Sequence, residues 1–257
     1  MMRWTMPESQ PWIAQAEKAR AVERESGALA PEEVAASADA REAEDVLYRD
    51  WRRYSRFGWG TLALVLWMGA AAAASLIPAG LAEGQDGGVG MAVTGAVLTA
   101  GFGAVSGWLL WRLHRSGRAV TRALAYWVRL PWLRGEPRGR HPLYDGTTRA
   151  YTDPAVALRW SAAGVTGLLG AGGAALAVRG AMAAGSASAA ELGLAAFGLV
   201  LAGGMLPTAV GLFTGIRRAV YPYSDPRQAL EVKLGYGPPG PVPSRHAPRS
   251  TRTDADR

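Results

Sequence analysis

The sequence predicts an all-α membrane protein, a four-span transmembrane bundle of two helical hairpins, and three observations predict it. Four stretches, Gly58 to Ala82, Gly87 to Trp111, Trp160 to Val178 and Leu192 to Ile216, carry no Asp, Glu, Lys, Arg or His. Each is long enough to cross a hydrocarbon core of about 30 Å at roughly 1.5 Å of rise per residue. The charges are segregated into the blocks between and around them, and 26 arginines against two lysines gather at one set of span ends. Trp and Tyr collect at those same ends, as amphipathic rings do at a headgroup boundary.

The organisation follows from that segregation. Residues 1–57 form a charged N-terminal segment, 58–111 a first hairpin, 112–159 a basic loop, 160–216 a second hairpin and 217–257 a Pro/Arg-rich tail. Mean hydropathy near zero and 19% charged residues hide the spans in the averaged composition.

The N-terminal segment is expected to hold two helices separated at Ser26-Gly27, with Pro11 and Pro31 suited to first helical turns and Gly27 to a C-terminal stop. Glu32 and Glu33 are expected to open the second helix and Arg49 to Arg56 to close it, both ends complementing the helix dipole. Leu47, Trp51 and Tyr54 recur at i, i+4 and i+7 as an apolar stripe. The stripe is read either as part of a solvated helix running into the first span or as a dock for a partner.

The first span follows, and arginines flank its start at 49, 52, 53 and 56, whereas the linker at 83–86 has none. After the second span come Arg112, Arg115, Arg118, Arg122 and Arg129, and after the fourth Arg217 and Arg218; the linker at 179–191 has only Arg179. Positive charge near span ends marks the cytoplasmic side, so both termini and the middle loop are expected inside. Trp51, Tyr54, Trp59, Trp108, Trp111, Trp160, Tyr221 and Tyr223 fall at the same boundary. The first apolar run begins only at Gly58, behind a charged segment, so no cleaved secretory signal is expected.

The middle block opens as a basic amphipathic helix, with Leu113, Val120, Leu124 and Trp127 near one face and Arg115, Arg118, Arg122 and Arg129 near another, a pattern suited to a membrane surface. Pro131 is expected to end it, with a loop through Gly135 to Pro142. Contact with anionic lipid or with a partner is the expectation for the five arginines from 112 to 129.

Two echoes run through the chain. GRAV at 117–120 and RRAV at 217–220 follow the second and fourth spans, which either duplication or a shared need for arginine after a span explains. YTDPAVAL at 151–158 and YSDPRQAL at 223–230 place Asp153 and Asp225 as N-caps with proline at the first helical position. Within the spans, Gly103 with Gly107, Gly211 with Gly215, Ala70 with Ala74 and Gly167 with Ala171 are spaced by four, which puts small residues on one helix face for close packing. Pro207 is expected to give a local kink.

Catalytic chemistry leaves no trace in this pattern. The spans hold no carboxylate or histidine, the chain has no cysteine, and His114, His141 and His246 stand apart without metal-ligand spacing. Asp145-Gly146 reads as a turn. No catalytic group, cofactor or metal is therefore expected, and the reading is a non-enzymatic anchor or scaffold of a bacterial inner membrane that recruits or organises cytoplasmic machinery. Its expected partners are membrane lipids and a soluble cytoplasmic protein, with self-association through the small-residue faces a further option. A small transporter or channel subunit is the first alternative; an accessory to DNA transfer, resting on nucleic-acid contact by the basic loop, is the second.

Overall fold

The structure, a computed structural model, describes residues 4–83, 86–135, 152–183 and 188–220. Among these residues there are helices and turns and no strand. Helix α1 is Ser9–Ser26, α2 Ala40–Arg52, α3 Tyr54–Glu83, α4 Asp86–Leu133, α5 Pro154–Met182 and α6 Ala189–Val220. Four helices are long and apolar enough to cross a membrane, within Ser37–Ala82, Gly87–Pro131, Pro154–Met182 and Ala189–Val220, and these contain all four expected spans. Tyr221, Tyr223, Asp225, His141, His246, the Asp145 turn and the tail lie outside the described residues, as does nearly all of the Gly135 to Pro142 loop.

Large apolar side chains such as Val65, Val97, Leu168, Leu199 and Val210 point away from the protein. A water-soluble fold would cover them, whereas lipid tails solvate them at no cost. In exchange, the helices meet through small residues. A Cβ on Gly95 of α3's neighbour α4 would stand 2.8 Å from the Ala73 carbonyl of α3, and one on Gly173 of α5 would stand 2.8 Å from the Gly198 carbonyl of α6. So α3 runs against α4 and α5 against α6, while α3 also packs on α6 and α4 leans on α6 over a shorter length. Ala70 and Ala74 are buried, as the small-residue spacing predicted. Gly103 and Gly215, however, have nothing within 4 Å where a Cβ would stand, so packing inside the chain does not use them. Gly107 and Gly211 face side chains instead, 3.6 Å from the Trp67 ring and 2.9 Å from His114 Nδ1.

Helix α4 has 48 residues, a length of about 72 Å, and so continues well past the span it contains. Its extension carries the N-terminal helices. Val120, Leu124 and Trp127 are fully buried with Leu47 and Trp51 of α2 and Ala16 and Ala19 of α1 in one apolar cluster. The amphipathic face expected to lie on lipid is thus covered by the chain's own α1 and α2, because a protein surface that matches it is tethered nearby. Trp127 donates its indole N–H to the Trp12 carbonyl at 3.1 Å, and the two rings meet edge to face at 5.5 Å. We call α1, α2 and the end of α4 the helical cap.

Gly27 takes the left-handed conformation at φ 67° and donates its N–H to the Glu23 carbonyl, the stop expected for α1. The second helix does not open at Glu32: residues 31–35 form a turn, a 3-10 turn follows at Ser37–Asp39, and α2 begins at Ala40. That turn is held from a distance, by Arg134 donating to the Ala30 carbonyl at 2.9 Å and pairing with Glu32 at 3.6 Å. Arg53, at ψ 124°, breaks α2 from α3, so the two are not one continuous rod. Pro131 does not end α4, which runs two residues further, since a proline in the last turn forfeits only one ladder bond.

Candidate functional site

Where α2 meets the start of α5, two buried polar groups join cap and spans. Asp153 caps α5 as expected, accepting from the Ala155 amide at 2.9 Å with Pro154 in the first helical position. The same carboxylate accepts from the Tyr48 hydroxyl at 2.6 Å and pairs with Arg52 Nε at 3.1 Å. Six residues on, Arg159 donates to the Ala155 carbonyl at 2.9 Å and to the Trp51 carbonyl at 2.6 Å, with its guanidinium over the Trp51 ring at 4.5 Å. The Trp51 carbonyl is one of the last of α2, which has no intrahelical partner of its own. Arg159 therefore caps α2 from another helix, and the helix dipole favours a cation there.

A second join lies one turn away. Asp50 is fully buried, accepts from the Met6 amide at 3.0 Å, and faces Arg56 Nε at 3.6 Å and Arg53 Nη1 at 3.9 Å. Arg56 in turn donates to the Trp4 carbonyl, and the Trp4 ring sits edge-on to Trp59 and Trp108, both at 6.3 Å. In the cap itself, Arg20 lies over the Tyr126 ring at 5.7 Å and is pulled below the usual arginine range, first by burial and then by Arg129 and Arg122.

The residues singled out in the sequence separate under this geometry. Leu47 and Trp51 are buried by the chain itself, which leaves only Tyr54, 64% exposed, on the surface from the expected docking stripe. Of the five arginines, Arg112 and Arg115 stack over Trp108 and Trp111 at 5.6 Å and 5.5 Å. Those indoles are half exposed, and a guanidinium on such a ring is the arrangement of an interfacial anchor. Arg129 turns back to donate to the Ala125 carbonyl at 3.2 Å. Arg118 and Arg122 gather elsewhere, with His114 of α4 and Arg218 of α6.

Two members of that gathering, His114 and Arg118, line one end of a cleft of about 450 Å³ walled by α3, α4, α6 and the start of α5, where Arg56 and Arg159 are the other lining cations. The residues that α4 contributes centre on Gly107, Leu110, His114, Gly117 and Thr121, three or four apart on one helix face, with Trp111, Leu113 and Arg118 at the sides of that stripe. On α6 the cleft is bounded by Gly203, Gly204, Pro207, Thr208, Gly211 and Gly215. Trp67 forms the far end: its ring lies flat on Gly204, where a Cβ would overlap the indole, and its N–H donates to the Val200 carbonyl at 2.7 Å. Pro207, having no N–H, leaves the Gly203 carbonyl without its ladder donor at this level.

The hydroxyls along the cleft are already committed as donors. Thr61 donates to Phe57, Thr121 to Gly117 and Thr208 to Gly204 carbonyls, at 3.1, 3.0 and 2.7 Å. Donor capacity for a guest is therefore concentrated at the cationic end, and the far end offers aromatic and glycine surface. Among the described residues no group of three or more His, Asp or Glu side chains is placed to hold a metal ion.

Sequence reasoning missed Asp50, Arg56, Trp67 and Arg159 as site residues. Arg56 and Arg159 each carried a signal, a charge within a turn of a span start; that of Arg56 was absorbed into the topology rule and that of Arg159 was not used. Trp67 carried another, being a tryptophan nine residues inside the first span and far from either end. Comparison of the chain with protein-family models, with curated proteins and with solved structures finds no match.

Proposed function

We propose that this protein is a multi-pass anchor of a bacterial cytoplasmic membrane, with both termini inside, that uses its helical cap to recruit or organise soluble machinery without catalysing a reaction. The observation that carries this reading is the attachment of the cap: α1 and α2 are packed on the extension of a spanning helix and pinned to α5 by Asp153 and Arg159. Extramembrane mass fixed in this way presents one constant surface, which is what a platform requires. The outward side chains of the cap are of mixed sign, Glu17, Glu25, Glu32, Glu33, Glu42 and Asp45 beside Lys18, Arg24, Arg41, Arg49 and Arg52, and the partner proposed is one that meets the acidic members with basic groups.

Purification of the full chain from its source membrane in mild detergent, with quantitative mass spectrometry, tests the proposal. A soluble protein at near-equal stoichiometry, lost when exposed acidic residues of the cap are neutralised, is the expected result. A clean self-oligomer without a soluble partner refutes it.

The cleft favours a second reading, a small transporter or channel subunit, since ligand sites between helices of a bundle are a common location. Solute flux in proteoliposomes separates the two readings.

A further inference from the structure

We propose that the cleft between α3, α4 and α6 is a binding site for one anionic phospholipid, its phosphate held at the mouth by Arg118 of the cleft wall with Arg218 and Arg122 acting from beside it, and one acyl chain lying along the cleft past His114 to Trp67. The proposal is independent of what the cap recruits.

The charge pattern comes first. The charged neighbours acting on His114 are Arg118, Arg218 and Arg122, and those acting on Arg218 are Arg122 and Arg118; among the described residues no carboxylate stands with them. Elsewhere in the described residues three carboxylates pair with other arginines, Asp153 with Arg52, Asp50 with Arg53 and Arg56, Glu32 with Arg134. Three guanidiniums brought together with no acid among the described residues repel one another, and an anion placed between them relieves that repulsion while accepting their fork-shaped donors.

The second argument is depth. Along α4 the cleft runs from Thr121 to Gly107; the part of it from Arg118 inward to Gly107, like the stretch of α3 from Arg56 to Trp67, is eleven residues, or about 16 Å. Half of a hydrocarbon core of about 30 Å is about 15 Å. A guest with its head at the arginines and its end at Trp67 therefore has the reach of one acyl chain in one leaflet. The polarity runs the same way, from cations through committed hydroxyls to an indole and bare backbone.

Glycine placement is the third. Gly60, Gly203 and Gly215 line the cleft, yet a Cβ on any of them would touch nothing within 4 Å. No packing inside the chain requires them to be glycine. Gly204 and Gly211 differ, since they let Trp67 and His114 lie flat against α6 and keep the space in front of them open.

Because the cleft lies within spanning helices, the guest that reaches Trp67 must partition into the bilayer, which selects a lipid over a soluble phosphate. The test is native mass spectrometry of the full chain released from nanodiscs of phosphatidylglycerol mixed equally with phosphatidylethanolamine. One retained phosphatidylglycerol per chain, preferred over phosphatidylethanolamine, is expected for the unaltered protein. Retention should fall about tenfold or more in Arg118→Gln/Arg218→Gln, two phosphate-facing cations being removed, and should persist in Arg118→Lys/Arg218→Lys and in Arg217→Gln. Gly203→Leu, which fills the chain path without touching a charge, should also lose the lipid. Equal retention of both lipids by the unaltered protein overturns the head-group assignment and needs no variant. Retention unchanged by Gly203→Leu overturns the cleft, and displacement by millimolar inorganic phosphate alone overturns the lipid as the source.

Discussion

Replacing Gly204 by alanine is expected to damage the membrane core far more than the same change at glycines the sequence marks out. A Cβ at 204 would lie inside the Trp67 indole, 2.5 Å from Cδ2. The ring has little freedom to yield, since its N–H is bonded to the Val200 carbonyl at 2.7 Å and α4 stands beyond it at Gly107. Either the indole tilts and forfeits that bond, or α6 moves off α3. Overpacking of this kind costs about 1–3 kcal/mol and the bond a further ~1 kcal/mol. For a chain of this size each kcal/mol moves the melting temperature by about 2–4 °C, so Gly204→Ala is expected to melt about 4–16 °C below the parent in one detergent, followed by intrinsic fluorescence. Gly103→Ala and Gly215→Ala meet open space and are expected to be neutral or to gain slightly, helix propensity favouring alanine by up to about 1 kcal/mol. The clash, not the glycine, is the cause, so Gly204→Ala introduced into Trp67→Leu should cost little more than Trp67→Leu alone. A penalty of the same size in both backgrounds, or no penalty at all, refutes the reasoning.

Asp153→Ala removes a helix cap, a tyrosine hydrogen bond and an ion pair together, and is expected to lower stability by about 2–3 kcal/mol, against about 1 kcal/mol for Tyr48→Phe; thermal unfolding of the two variants compares them. Leu47→Ala opens a cavity between α2 and α4 and is expected to cost about 2–4 kcal/mol, read as faster proteolysis at the Arg53 joint while the spanning fragment stays whole. Topology is open to direct labelling because the chain has no cysteine: in intact cells a membrane-impermeant maleimide is expected to modify Ser188→Cys and to leave Ser26→Cys untouched, and the reverse pattern would invert the proposed orientation. Arg159→Lys keeps the charge but not the fork that serves the Ala155 and Trp51 carbonyls; it is expected to loosen the cap partway towards Arg159→Met in the same proteolysis assay.

Features that a single stretch of chain encodes were legible in the sequence. Uninterrupted apolar length gave the four spanning helices, Gly27 its left-handed stop, and Asp153-Pro154 its cap, because the groups that satisfy each lie within a turn of it. What depended on residues far apart was not legible. Whether Leu47 and Trp51 face a partner or the chain's own α4 is settled by a meeting with Val120, Leu124 and Trp127, some 70 residues later in the sequence. The start of α2 was displaced by Arg134, which reaches back about a hundred residues to hold the turn. Spacing by four identifies glycines that share a face but not which face meets a neighbour, and that is why Gly95 and Gly173 are at helix contacts while Gly103 and Gly215 are not. The five arginines looked equivalent for the same reason; the stacking of Arg112 and Arg115 on tryptophans one turn back lies within a single helix yet was not read from the sequence, and the company that Arg218 of α6 gives Arg118 and Arg122 lies about a hundred residues away.

Cap and cleft are not separate parts of this molecule. Trp51, Arg56 and Arg159 line the cleft, and the same three residues tie α2 and the N-terminal segment to the spans. A platform and a transporter make opposite demands on that shared joint. Transport requires the cleft to take two shapes, which needs α6 to shift against α3 across the Gly204–Trp67 contact, and the joint would have to tolerate each shape. A platform requires one shape, and a lipid seated in the cleft supplies it by filling space that the helices leave open, stabilising the form that binds it over any that does not. On the anchor reading, then, loss of the cleft lipid should loosen the cap as measured at the Arg53 joint, with no solute flux under any condition. A cap whose proteolysis is indifferent to Gly203→Leu would show that cleft and cap, although built from common residues, do separate work.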